Sequence, residues 1–200
     1  MGTDGHSTQK DPDWTHRRIL EAIVQLHEER GPAATTISAI AERAGVQRLT
    51  VYRHFPDERT LMRACSSHWR DRHPTPDPAS WAGLEDPRDR LRAALSALYA
   101  YYRDGRNMLA NVLEDEDEVP ALAEVMVPFH DYLREVAASL ATGWGVQPQT
   151  QRRLRAAVGH AVRFSTYRSL AAEGLSSEDA AGLMAGFVSG VAHGHTAEVK

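Results

Sequence analysis

A proline-rich stretch near the middle of the chain most constrains its fold. Residues 73–87 read HPTPDPASWAGLEDP, with four prolines and one glycine, and no continuous helix can cross such a segment. The stretch separates an N-terminal third from a C-terminal two-thirds. We therefore expect a disordered tail over residues 1–13, a small domain over 14–72 and a larger domain over 73–200.

The pattern of apolar residues predicts an all-α protein. The chain is rich in Ala, Leu, Arg and Glu, and no alternating strand pattern is visible. Nine helices are expected, with glycines where most of them end: 14–30, 37–44, 48–54, 57–72, 88–104, 106–115, 119–141, 149–173 and 177–192.

Composition narrows the class of protein. The chain lacks any run of about 18 uncharged apolar residues, so we expect no membrane span and a cytoplasmic location. Cys65 is the single cysteine, so no thiolate cluster can form, and we predict neither a metal site nor a cofactor. The net charge of −4 argues against binding nucleic acid with the whole surface.

The small domain has the plan of a helix-turn-helix. Thr36 fits an N-cap for the second helix, and Gly45 allows the left-handed turn that reverses the chain within a few residues. Val46, Val51 and Phe55 then form the inward face of the third helix. In this plan the third helix can lie in the major groove of DNA.

The polar residues of the third helix are expected to face outward. Gln47 and Arg48 can read adenine and guanine edges through paired hydrogen bonds. Thr, Tyr and His side chains suit phosphate oxygens, which fix position rather than sequence. The outward set comprises Gln47, Arg48, Thr50, Tyr52, Arg53 and His54. An ordinary solvated helix with a half-buried tyrosine is the alternative.

The chain resembles the TetR family of bacterial transcriptional regulators from about Arg18 to Leu61. Three stretches carry the resemblance in order: RILEAIVQLHEERG, TTISAIAERAGVQRLTVYRHF and PDERTL. The family is homodimeric and all-α, usually represses transcription, and releases operator DNA when a small molecule enters its C-terminal domain. The resemblance implies these same properties here.

Matched positions imply roles for individual residues. Thr36, Thr50, Tyr52 and His54 fall where family members often hold phosphates, and Gln47, Arg48 and Leu49 fall where they often meet bases. Two positions depart from the family pattern. Gln47 replaces a frequent Ser or Thr, which implies a weaker or different N-cap. Glu58 replaces a common phosphate-binding Lys, and Arg59 beside it could reach the same oxygen.

Rows of small residues near the C-terminus predict a dimer interface. Gly182, Gly186 and Gly190 are spaced four apart in the last helix. Ala157, Ala161, Ser165 and Ser169 form a similar row in the helix before it. Close packing within one chain is the alternative explanation of the rows. Since the family usually pairs these helices, we expect a homodimer through the last two long helices.

The larger domain also supplies candidates for an apolar effector pocket. Met and aromatic side chains adapt to irregular spaces, although the same set also describes an ordinary core. Two histidines and an arginine are included as groups that could orient a ligand. The candidates are Tyr99, Tyr102, Met108, Val112, Met126, Phe129, His130, Leu133, His160, Arg163, Phe164 and Tyr167.

The resemblance to the TetR family implies a repressor rather than an enzyme. We expect a homodimer that binds palindromic operator DNA and is released by a mostly apolar effector. No metalloprotease, di-iron, nucleophile-elbow or phosphate-loop motif is visible, so we predict no catalytic residues. A ligand-independent architectural protein on the same fold and, more remotely, an all-α enzyme remain the alternatives.

Overall fold

The computed structural model describes the backbone of residues 12–194 and the side chains of residues 14–194, and every regular element within this range is an α-helix. The all-α prediction is therefore confirmed. The expected tail lies outside the described residues up to residue 11, and α1 already begins at Pro12. The helices are α1 Pro12–Arg30, α2 Ile37–Ala44, α3 Arg48–His54, α4 Glu58–Arg72, α5 Ala79–Ala82, α6 Pro87–Asp104, α7 Arg106–Asp115, α8 Pro120–Leu140, α9 Pro148–Ala161, α10 Phe164–Ala172 and α11 Ser177–His193.

Two features raise the number of helices above the nine expected. A single turn, α5, forms inside the proline-rich stretch, where Asp77 accepts a hydrogen bond from the backbone of Ala79 at 2.9 Å. The prediction of one continuous helix over 149–173 is wrong, because the helix ends at Ala161. Arg163 has an extended backbone (φ −78°, ψ 143°), and a new helix starts at Phe164.

Two buried tyrosines from α6 stabilise this break. The hydroxyl of Tyr99 donates to the carbonyl of Ala161 at 2.8 Å, and that of Tyr102 donates to the carbonyl of Val162. In a continuous helix these carbonyls would accept from backbone N–H groups one turn further on. Burial raises the pKa of both phenols, so both hydroxyls remain protonated donors. The Ala/Ser row is consequently divided between two helices.

The chain forms two compact units, and the boundary falls inside α7 and α8. The first unit contains the residues up to Arg72 together with Ala110–Val125, and the second contains His73–Leu109 and the residues from Met126 onward. This grouping differs from a division at residue 72 alone. The reason is that Asn111 and Asp115 hydrogen-bond to backbone groups around the end of α1.

The core of the first unit is a three-helix assembly closed by α4. Its α1 buries an apolar stripe of Ile19, Ala22, Ile23 and Leu26, as the spacing predicts. Helix α2 packs on α1 and on α3, and α4 packs on α1. The short α3 is thereby packed against α2 on one face, while its opposite face is exposed to solvent.

The second unit is built around α6 and α11, which pack against each other and against α10, while α9 packs on α11. Helix α6 buries Leu91, Leu95 and Leu98. The buried face of α11 is made of small and medium residues, among them Ala181 and Val188. Across the described residues, no helix combines the length and apolar character needed to cross a membrane.

Candidate nucleic-acid interface

The turn between α2 and α3 is fixed by a left-handed glycine. Gly45 has φ 62° and ψ 41°, a conformation that L residues with a side chain rarely adopt. Its N–H donates to the carbonyl of Glu42 at 3.0 Å, and the next N–H, of Val46, donates to that of Ala41 at 2.9 Å. These bonds cap the free carbonyls of α2 and send the chain directly into α3.

Thr36 caps the other end of α2. Its backbone is extended, and its hydroxyl oxygen accepts a hydrogen bond from the backbone N–H of Ala39 at 3.2 Å. The N-cap predicted at this position is therefore present. Because the oxygen serves as the acceptor, the hydroxyl hydrogen of this exposed side chain is available to a phosphate oxygen.

Helix α3 is held down by two buried side chains. Val51 and Phe55 are both buried, as predicted, while Val46 is half-buried. Gln47 occupies the N-cap position, but its side chain makes no capping hydrogen bond. The side-chain amide of Gln47 is therefore not used to stabilise the helix that it begins.

The face of α3 away from this anchor carries most of the predicted contact residues. Leu49 is the most prominent, with 74% of its surface exposed, and Tyr52 is 45% exposed. Gln47, Arg48 and Arg53 are exposed as well. Thr50 and His54 are half-buried rather than fully outward, so each presents only part of its side chain.

His54 belongs to a small ring cluster that the sequence analysis did not foresee. The ring of His16, from α1, stacks on Phe55 at 5.0 Å and lies 5.7 Å from the ring of His54. Burial, followed by the nearby His16 and Arg53, lowers the pKa of His54. At neutral pH the imidazole is therefore uncharged, and it can offer a hydrogen bond but not a positive charge.

The start of α4 carries acidic residues and an arginine that is already paired. The Asp57 carboxylate accepts from the backbone N–H of Thr60 at 2.7 Å and so caps the helix. Glu58 is exposed. The guanidinium of Arg59 lies 2.5 Å from the carboxylate of Glu124, so in this conformation it is not directed to a phosphate.

The loop after α1 is tied to α7 by side chains whose role the sequence did not reveal. The amide of Asn111 donates to the last-turn carbonyls of His27 and Glu28, at 2.8 and 3.0 Å. The carboxylate of Asp115 accepts from the backbone of Ala33 at 2.9 Å. Asp115 lies in the acidic run 114–118, and nothing in the sequence of that run predicts a contact with the loop after α1.

Part of the predicted effector set is a packed aromatic cluster in the second unit. Neighbouring rings lie 5.4–6.1 Å apart, and both phenols that donate to the break after α9 belong to the cluster. Its members are Tyr99, Tyr102, Phe164 and Tyr167, all buried.

The other effector candidates are dispersed. Met108 and Met126 are buried in the second unit, and Val112 is buried in the first. The side chains of His160 and Arg163 are exposed on the surface. Three further candidates, Phe129, His130 and Leu133, occupy half-buried positions on α8.

Comparison with known proteins assigns the helix-turn-helix to a family. Residues 19–65 match the family described as "Bacterial regulatory proteins, tetR family". The uncharacterized HTH-type transcriptional regulator YvkB of Bacillus subtilis is 42% identical over 53 residues, which cover 26% of this chain and 28% of YvkB. An uncharacterized HTH-type transcriptional regulator of Mycobacterium tuberculosis is 30% identical over 110 residues, 54% of either chain.

Likeness in fold extends over nearly the whole chain. A TetR-like transcriptional regulator from Rhodococcus sp. RHA1 has a TM-score of 0.62 at 22% identity, and the match covers 92% of this chain and 97% of that one. The sequence matches span about a quarter to a half of these curated relatives. The family match lies in the N-terminal helices, and the likeness to the Rhodococcus structure, at 22% identity, shows a shared fold alone.

Replacing Gly45 tests the turn. Gly45→Ala is expected to lower the free energy of unfolding by roughly 1–2 kcal/mol, because an L residue is strained in the left-handed region. An added Cβ would also lie 2.9 Å from a guanidinium nitrogen of Arg18. The measurement is urea denaturation of the purified protein.

The matched control is Gly83→Ala. Gly83 has φ −77°, and nothing lies within 4 Å of its added Cβ. This control should leave stability close to that of the parent. Equal unfolding midpoints for the two variants would contradict the role assigned to Gly45.

Proposed function

We propose that the chain, whose residues 19–65 match the TetR family of bacterial regulatory proteins, is a transcriptional repressor. It binds palindromic operator DNA as a homodimer and is released by a mostly apolar small molecule. The observation that carries the proposal is α3: Val51 and Phe55 anchor one face, while the opposite face is open and rich in hydrogen-bonding groups.

Base reading is assigned to the first turn of α3. Gln47 and Arg48 are exposed and suit adenine and guanine edges, respectively. Leu49 has 74% of its surface exposed, so its apolar side chain does not belong to the core. An apolar side chain in the major groove fits the methyl group of thymine.

Positioning on the DNA backbone is assigned to the surrounding hydroxyl, ring and guanidinium groups. Thr36 and Tyr52 are exposed near the two ends of the motif, and Thr50 and His54 offer one hydrogen-bonding group each. Arg53 adds a positive charge that attracts phosphate regardless of sequence. Arg59 is not assigned this role, since it pairs with Glu124.

Two substitutions distinguish base reading from positioning. Arg48→Ala should reduce discrimination at one base pair by roughly 1–3 kcal/mol, because a bidentate contact to a base is lost. Tyr52→Phe should weaken binding to all sites about equally, because a phosphate contact carries no sequence information. The measurement is equilibrium binding to operator fragments selected by the parent protein and to single-base variants of them.

Arg70→Ala serves as the control, since it removes the same charge from an exposed position near the far end of α4. It should leave base discrimination unchanged. If Arg48→Ala and Tyr52→Phe both bind every sequence as the parent does, the recognition helix has been misassigned.

The homodimer proposal rests on the outer face of α11. Leu183 and Phe187 are 42% and 60% exposed, and the three glycines of the row lie beside them. A Cβ added at Gly182, Gly186 or Gly190 meets nothing within 4 Å, so the glycines are not required by packing within the chain. A second copy of α11 fits such a flat apolar strip, because glycine lets helix backbones approach closely.

A bulky residue in the glycine row tests the interface. Gly186→Leu has room within one chain, but it should separate two α11 helices and shift the protein to monomer. Multi-angle light scattering across a dilution series measures this change. Ala138→Leu, at an exposed position on α8, is the control and should remain dimeric. A Gly186→Leu protein that stays dimeric at low concentration would assign the dimer to another surface.

Effector binding is proposed for the second unit around α8. Phe129 lies 6.4 Å from the ring of Tyr101, and Phe129, His130 and Leu133 are half-buried. Ligand binding would act by a population shift toward a dimer whose recognition helices no longer match half-sites about 34–36 Å apart. Reversal of a 99:1 preference requires the ligand to favour the released form by about 5.5 kcal/mol.

Thermal-shift screening of apolar and amphipathic metabolites, followed by measurement of operator release, tests this mechanism. Phe129→Ala should weaken the response to a hit by roughly tenfold, because a large apolar contact is lost. Val127→Ala, at an exposed position on the same helix, should not. Hits that stabilise the protein while operator affinity stays unchanged would favour the ligand-independent alternative.

A further inference from the structure

A cleft in the first unit has a composition that suits a ligand. It encloses about 240 Å³ and is lined by α1, α2, α3 and α4 with the loops between them. This volume is smaller than the roughly 300–1,000 Å³ of sites for drug-sized ligands. The cleft, called here the helix-turn-helix cleft, therefore suits a small molecule. It lies entirely within the first unit.

The walls of the cleft are apolar and aromatic. Ile40, Leu61 and Met62 are buried and form an aliphatic surface. The ring of Phe55, also buried, and the ring of Tyr52, 45% exposed, complete the lining from α3. A flat apolar body can be buried here.

The charge of the lining is negative. Asp57 and Glu58 line the cleft, and no Lys or Arg is among its lining residues. The hydrogen bond from the backbone of Thr60 lowers the pKa of Asp57, so its carboxylate is ionised at neutral pH. Arg59, the next residue along, is held by Glu124 rather than by these acids. Arg59 and Arg63 also lower the pKa of Asp57 from outside the lining. A positively charged group entering the cleft therefore meets two carboxylates whose attraction these guanidinium groups offset in part.

A buried histidine supplies a second polar feature. His27 lines the cleft and is 2% exposed, and its Nε2 has no hydrogen-bond partner among the described residues. Its Nδ1 lies 3.6 Å from the sulfur of Cys65. Burial lowers the pKa of His27 to about 4, so the ring is neutral at pH 7. With its proton on Nδ1, the ring leaves Nε2 as an acceptor for a ligand O–H or N–H.

We propose that the helix-turn-helix cleft binds a small aromatic amine that carries a hydrogen-bond donor at the end opposite its ammonium group. The ammonium lies beside Asp57 and Glu58, the aromatic body packs on Ile40 and Leu61, and the distal donor is directed to Nε2 of His27. This site is separate from the effector site assigned to α8, and its test requires no operator DNA.

Tyramine is the probe, because it combines an ammonium, an aromatic ring and a distal phenol. Titration into the full-length protein, followed by methyl NMR, should give saturable shifts at Ile40, Leu61 and Met62. Phenethylamine, which lacks the phenol, should bind several-fold more weakly. 4-Hydroxyphenylacetate has a carboxylate in place of the amine. It should bind more than tenfold more weakly, because the carboxylates of Asp57 and Glu58 repel it.

Glu58→Gln removes one negative charge at an exposed position while keeping the size of the side chain. It should weaken tyramine binding about fivefold. Glu42→Gln is the matched control, since Glu42 is exposed in the same unit but does not line the cleft. It should leave tyramine affinity unchanged. Three results would each overturn the proposal: shifts that do not saturate or fall outside the cleft, equal binding of the carboxylate analogue, and equal effects of the two substitutions.

Discussion

The left-handed turn at Gly45 is the constraint on which the DNA-binding surface depends. Its two backbone hydrogen bonds end α2 and direct the chain into α3 without an intervening loop. Val51 and Phe55 can then reach the core from a helix of only seven residues. So short a helix is not stable by itself, so its orientation comes from the turn before it and the apolar anchors beneath it.

In the proposed function, the charges of the first unit separate base reading from positioning on the DNA backbone. The exposed first turn of α3 carries Gln47, Arg48 and Leu49, which suit base edges. The start of α4 is acidic at Asp57 and Glu58, and the basic residue that follows them is paired. In the proposed function, attraction to the DNA backbone comes from α3 and the N-cap of α2, and the acidic start of α4 is where we propose that a ligand ammonium binds.

Sequence patterns predicted the first unit well because its elements are specified locally. Thr36 as N-cap, Gly45 in the turn, and Val51 and Phe55 as anchors all follow from residue type and helical spacing. The sites assigned to the larger domain depended on the same patterns and were less specific, since a list of Met and aromatic residues does not distinguish a pocket from a core. Tyr99, Tyr102, Phe164 and Tyr167 pack on one another.

The sequence by itself determined the helical class and the helix-turn-helix, because capping, turn formation and apolar periodicity act over a few residues. It also carries the match of residues 19–65 to the TetR family. Tertiary structure alone decided where the helix after Pro148 breaks. No proline or glycine marks residues 162–163, and the break depends on hydroxyl donors from α6, some 60 residues away in sequence. It also decided that Asn111 binds the end of α1, since a contact between distant segments leaves no periodic trace in the sequence.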